Sequence, residues 1–279
     1  MAPALCSVRR FIVATSAGVL FCIAAALADT TDKELEKYRQ MLQDPFANPG
    51  NLWVDRGEEF WNLPSGPKKA SLQACDLGKG VGKIEGAFAE LPRYFADADR
   101  VMDLEARLLW CMSQVQGRDA KEVLKTKFSP MGAAGETISA LEALTAFVAS
   151  KSNGMKLAAA LDHAKEQEMV AVGEMLFYRR QGPLDFSCAS CHGDIGKRIR
   201  LQELPNFAVP EQAQAALGTW PAYRVSQESL RTLQHRLYDC FWQMRLPAVD
   251  YASDVTIALT AYLIKKAEGG LIQVPGVKR

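Results

Sequence analysis

"CASCHG" occupies residues 188–193, and its reading decides the fold. Two cysteines separated by two residues and followed at once by histidine form a C-x-x-C-H haem-attachment sequence. Thiols at this spacing reach the two vinyl groups of one haem, and His192 then lies beneath the iron as an axial ligand. A redox C-x-x-C needs no following histidine, and a zinc site needs two more ligands nearby. The flanks suit a small helical cytochrome domain. "HAKEQEMVAVGEMLFYRR" (163–180) reads as an amphipathic helix arriving before the haem loop, with Gly173 allowing close approach of a second helix. "SDVTIALTAYLIKKAEGG" (253–270) has Ser253 as a candidate N-cap, apolar residues at helical spacing, lysines in its last turn and glycines after it. "LPNFAVPEQAQAALGTWPAYR" (204–224), rich in Pro and Gly, is expected to wrap the haem edge as loop and short turns.

The same plan occurs twice. "VDRGEEFW" (54–61) stands to "AVGEMLFY" (171–178) as a glycine-bearing first helix, and "RLLWCMSQ" (107–114) matches "RLYDCFWQ" (236–243). "ALTAFV" (143–148) matches "ALTAYL" (258–263) in the closing helix. Three matches in one order predict a mainly α protein of two cytochrome-c-like domains in tandem, joined near "SKSNG" (150–154). Only the second carries the haem motif. Where the first should have it, the sequence reads "CDLGKG" (75–80), with Gly78 and Lys79 in place of the second cysteine and the histidine. Cys75 and Cys111 fall near that vacated pocket. A disulfide between them would close a long loop and stabilise the domain by about 2–4 kcal/mol.

The first 28 residues read as a secretory signal peptide. Arg9 and Arg10 precede an apolar core, and Ala26-Leu27-Ala28 fits an A-x-A cleavage site. The expected organisation is therefore signal peptide 1–28, haem-free domain 29–152 and haem domain 153–279, in the periplasm. No later apolar run is long enough to span a bilayer. Formal net charge is +1, and loss of two arginines with the signal keeps the remainder near neutral. That argues against nucleic acid or an anionic membrane as the main partner. Of seven cysteines, two leave with the signal, four are spoken for, and Cys240 is left over.

"SQESLRTLQHRLYDCFWQMR" (226–245) is expected to be helical from an N-cap at Ser226. Arg236, Cys240 and Met244 then share one face, while His235 turns about 100° away from it and reads as a solvated residue. If this helix lies distal to the haem, Met244 is the ordinary sixth ligand of an electron-transfer cytochrome and raises the potential. A thiolate at Cys240 would lower it. Helical position leaves the two open. Arg236, one turn before Cys240, favours the thiolate and offers a planar donor fork to an oxyanion.

With those residues in place, the chain resembles the SoxA subunits of SoxAX cytochromes, the L-cysteine S-thiosulfotransferases of bacterial thiosulfate oxidation. The resemblance runs through nearly the whole mature chain. Its most specific stretches are "CDLGKGVGKIEGAFAELPRYFADADRVMDLEARLLWCMSQVQG" (75–117), "CASCHGDIGKRIR" (188–200) and "WPAYRVSQESLRTLQHRLYDCFWQMR" (220–245). It implies haem attachment at Cys188 and Cys191, axial ligation by His192 and by Cys240 (a persulfide in the family), and a substrate-facing Arg236. Some members carry a second haem in the first domain, with the cysteine matching Cys111 as its axial ligand. This sequence resembles the single-haem members, in which Cys75 and Cys111 are expected to be bridged. The implied reaction joins the outer sulfur of thiosulfate to a cysteine of the carrier SoxYZ. Electrons then leave through the haem to a SoxX-type subunit and a small cytochrome c. The rival expectation is a plain electron-transfer cytochrome with His192/Met244 ligation; a third is a haem-containing scaffold whose first domain only docks a partner.

Overall fold

The computed structural model describes residues 47–199 and 202–278; the expected signal peptide lies outside them. The first half contains α1 (Asn51–Asn62), a hairpin of β1 (Arg93–Phe95) and β2 (Arg100–Met102), α2 (Leu104–Gln114), short α3 (Ala120–Lys125) and α4 (Ala140–Ser150). The second contains α5 (Ala164–Tyr178), α6 (Cys188–His192) and a small hairpin of β3 (Arg198–Ile199) and β4 (Gln202–Glu203). It continues with α7 (Pro210–Leu217), β5 (Ala222–Arg224), β6 (Ser229–Arg231), α8 (Leu233–Gln243), α9 (Asp254–Lys266) and β7 (Gly276–Lys278). From Pro49 on, the described residues pack as one compact unit, and one cluster of buried side chains runs through both halves.

The repeat is structural. In each half the first helix crosses the closing helix at a glycine. A Cβ on Gly57 would collide with the Ala143 carbonyl and Phe147, and one on Gly173 with the Ala258 carbonyl and Tyr262. Only glycine permits that approach. In each half one hairpin, β1–β2 or β5–β6, starts after a cis X-Pro bond, Leu91–Pro92 or Trp220–Pro221, and turns at a left-handed residue, Asp99 or Glu228. Each then leads into a cysteine-bearing helix whose N-cap accepts from a backbone amide three residues on: Asp103 from Ala106, Thr232 from His235. The second half adds β7, which pairs parallel to β5 and sets Lys278 beside Arg224.

Three expectations are corrected. The helix of Cys240 does not begin at Ser226, because the hairpin takes Ser229–Arg231 into β6 and the helix starts only at Leu233. The stretch expected as loop contains α7, which opens with Pro210 in its first turn, where the missing N–H costs nothing. The alignment of the missing haem motif also shifts. Equivalent turns, closed by the bridges Ser65–Ala70 and Gln181–Phe186, precede the two motifs. Counting from them pairs Cys75 with Cys191, so Leu72 and Asp76, not Gly78 and Lys79, stand where the second half has Cys188 and His192.

Cys75 and Cys111 form a disulfide, Cα atoms 5.7 Å apart. It joins the positions that in the second half are Cys191 and Cys240, which stay free. Buried Leu72, Leu77 and Leu108 belong to the same core cluster as the bridge. Replacing both cysteines by alanine should cost about 2–4 kcal/mol, read as a lower Tm; an unchanged Tm would show the packing alone suffices.

Candidate haem and oxyanion site

Ser187 caps α6 reciprocally with Ser190, each side chain accepting from the other's amide. This short helix presents Cys188, Cys191 and His192 on one wall of a cavity of about 500 Å³, within the 300–1,000 Å³ usual for cofactor sites. His192 Nδ1 lies 2.8 Å from the Pro205 carbonyl oxygen. As the donor there, Nδ1 leaves Nε2 as the nitrogen for a metal, the usual outer-shell arrangement of a ligating histidine. Phe207 stacks on the imidazole, centroids 4.7 Å apart. Burial holds the imidazole pKa below its ordinary value, keeping it neutral, as a ligand must be.

The helix α8 contributes Arg236, Leu237 and Cys240 to the same cavity, and Met244 follows at its C-cap. Phe177, Trp220, Leu259 and Leu263 add apolar lining. Two thiols at the attachment spacing, a histidine with one nitrogen committed, and a largely apolar cavity that Cys240 of α8 also lines fit a c-type haem. Burial pushes the Cys188 thiol up to about 12.

Arg236 does lower the pKa of Cys240, as expected, but burial outweighs it and the thiol is raised overall. A coordinated metal reverses that balance, because it binds the deprotonated sulfur. His235 departs from expectation. It is buried, bonded through Nδ1 to Glu142 Oε1 at 2.7 Å and stacked on Phe128, and does not line the cavity. Met244 does line it, so the structure brings both sulfur candidates to the site.

Arg236 differs sharply from its repeat equivalent. Arg107 is 2% exposed, donates to both carboxylate oxygens of Asp97 at 2.8–2.9 Å and to the Asp76 carbonyl at 2.7 Å, and lies between Phe95 and Trp110. Among the described residues the Arg236 side chain makes no hydrogen bond or ion pair. It shares the cavity with two cations that sequence reasoning missed, Arg224 and Lys278. Burial first, then Arg224 and Arg236, press the Lys278 ammonium down to about 8. Burial, then Arg236, lower Arg224 as well. Three mutually repelling cations thus share one cavity, with the Asp239 carboxylate acting on Arg224 and Cys240 nearby. No local pattern announced this, since Arg224 and Lys278 meet only through β5–β7 pairing.

A family model described as "SoxA/TsdA, cytochrome c domain" matches twice, over residues 56–157 and 172–272. The chain is 45% identical over 247 residues to the L-cysteine S-thiosulfotransferase subunit SoxA of Hydrogenophilus thermoluteolus, covering 88% of each. It is 36% identical over 261 residues to a SoxA subunit of Hydrogenobacter thermophilus, covering 92% of this chain and 95% of that one. Among solved structures, SoxXA from P. pantotrophus shares the fold, with TM-score 0.70 and 24% identity over 88% of this chain and 84% of that one.

Proposed function

The chain belongs to the SoxA family as a cytochrome subunit of L-cysteine S-thiosulfotransferase, and we propose that Cys240 handles the sulfur while Arg236, Arg224 and Lys278 hold the oxyanion. The uncommitted Arg236, where its repeat equivalent is fully paired, is the observation that carries this reading. In the proposed reaction the outer sulfur of thiosulfate bonds to a carrier-protein cysteine; the thiol loses its proton and two electrons leave. Guanidinium groups suit the sulfonate end, since a planar fork donates to two oxygens at once. The apolar walls lower the local dielectric, which strengthens those contacts. A haem held by Cys188, Cys191 and His192 supplies an electron sink when bound. Cys240, in the same cavity, is a soft sulfur suited both to iron and to sulfur exchange.

The reading includes one haem per chain, since Leu72 and Asp76 replace an attachment cysteine and the ligand histidine in the first half. The first half then ends near residue 152. A SoxX-type subunit and a small cytochrome c would take the electrons, and SoxYZ would carry the sulfur. The disulfide suits an exported, periplasmic protein. Intact mass of the mature protein from a haem-maturing host should exceed the apo mass by one haem; a second haem would refute the assignment of the first half. A plain cytochrome with Met244 on iron would instead show a His/Met near-infrared band.

Lys278 makes the oxyanion site pH-dependent. It is a cation below about pH 8 and neutral above, so kcat/KM for thiosulfate should fall as pH rises through that value. Lys278→Gln should be weaker at neutral pH and should lose that fall. A parent profile in the variant would remove Lys278 from the site.

A further inference from the structure

The helix of Cys240 is held at its start by the other half of the molecule. Thr232 donates to Glu105 Oε1 at 2.7 Å, the Gln234 side chain to Asp103 Oδ2 at 2.5 Å, and Tyr251 to the same Glu105. Glu142, fully buried on α4, bonds His235 through one oxygen and accepts the Ser129 amide, at 2.8 Å, through the other. Phe128 stacks on one face of the His235 ring, centroids 3.6 Å apart. Asp103, Glu105 and Glu142 all belong to the first half.

We infer that Glu142 and Glu105 are positioning residues, by which the first half of the molecule sets the direction that Cys240 and Arg236 face into the cavity. The inference rests on the proposed role of Cys240. Burying carboxyl groups is costly unless every oxygen is bonded, and apolar side chains would join the two halves at lower cost. What the carboxyls add is direction, because short hydrogen bonds fix an angle where apolar contact fixes only a distance. His235 immediately precedes Arg236 on a helix that advances 100° per residue. Clamping its ring between Glu142 and Phe128 therefore fixes the rotation of α8 about its axis. A small rotational error would swing both functional side chains, and displacement of about 1 Å can cost a hundredfold in rate.

A second tie between the halves serves as control. Glu166 on α5 accepts the Tyr94 amide at 2.5 Å, joining the halves without touching α8. The test uses full-length oxidised holoprotein and reads low-spin EPR, haem midpoint potential, Tm and turnover. Glu142→Ala should shift or split the EPR signal, move the potential and lower turnover about ten- to a hundredfold. Glu142→Gln keeps an oxygen for Ser129 and an amide facing His235, and should restore most of the parent signal. Glu166→Ala should lower Tm with the parent EPR and potential intact. His235→Leu removes the same tie from α8 and should match Glu142→Ala, so the idea stays testable if that variant does not fold. Cys240→Ala separates the two ideas. If it keeps the parent EPR signal, the role of Cys240 fails and the positioning role falls with it. If it changes the signal while Glu142→Ala and His235→Leu do not, or Glu166→Ala changes it equally, the positioning role alone is overturned.

Discussion

Cys240→Ala should abolish thiosulfate-dependent sulfur transfer while leaving the haem covalently attached. The proposed attachment is at Cys188 and Cys191 on α6, and Cys240 lines the same cavity from α8. The variant should keep the parent's intact mass, less one sulfur, with an altered low-spin EPR spectrum because the proposed sulfur ligand is gone. Its loss should not unfold the protein, since Cys240 is only half-buried and bonded to no other cysteine. Parent turnover with a parent spectrum would hand the sixth position to Met244, which lines the same cavity, and favour the plain electron-transfer cytochrome.

Arg236→Met should lower kcat/KM for thiosulfate about ten- to a hundredfold, the equivalent of one charge-assisted hydrogen bond of about 1.5–3 kcal/mol. Arg236→Lys keeps the charge but loses the fork, and should fall between parent and Met. Neither change should move Tm much, because the side chain bonds to nothing among the described residues. The same substitution at the repeat-equivalent Arg107 should do the reverse. It strands the Asp97 carboxylate, the Asp76 carbonyl and two aromatic faces, so Tm should fall. If Arg236→Met turned over like the parent, the three-cation site would lose its central member.

Much of this was legible along the chain because it is local or repeated. C-x-x-C-H is a covalent requirement packed into five residues, and the paired R-L-x-x-C helices and glycine crossings sit in the same order twice. Reading the missing motif from its first cysteine misplaced it, because a lone cysteine carries no information about which of two positions it fills. The turns closed at Ser65–Ala70 and Gln181–Phe186 supply that register, and they are visible only as backbone geometry. His235 was misread as solvated for a related reason. Helical spacing says which way a side chain points, but not what another helix brings against it.

The sequence by itself determined the C-x-x-C-H motif, the helical class, the duplication, the two cysteines of the disulfide and the shared face of Arg236, Cys240 and Met244. All are set by covalent spacing or by periodicity within one element. Tertiary structure alone decided that Arg236 is uncommitted while Arg107 is neutralised, that Arg224 and Lys278 join it, and that Glu105 and Glu142 brace α8. Each of those depends on groups far apart in the chain being buried together, where the cost of desolvating a charge leaves it either paired or waiting for a ligand.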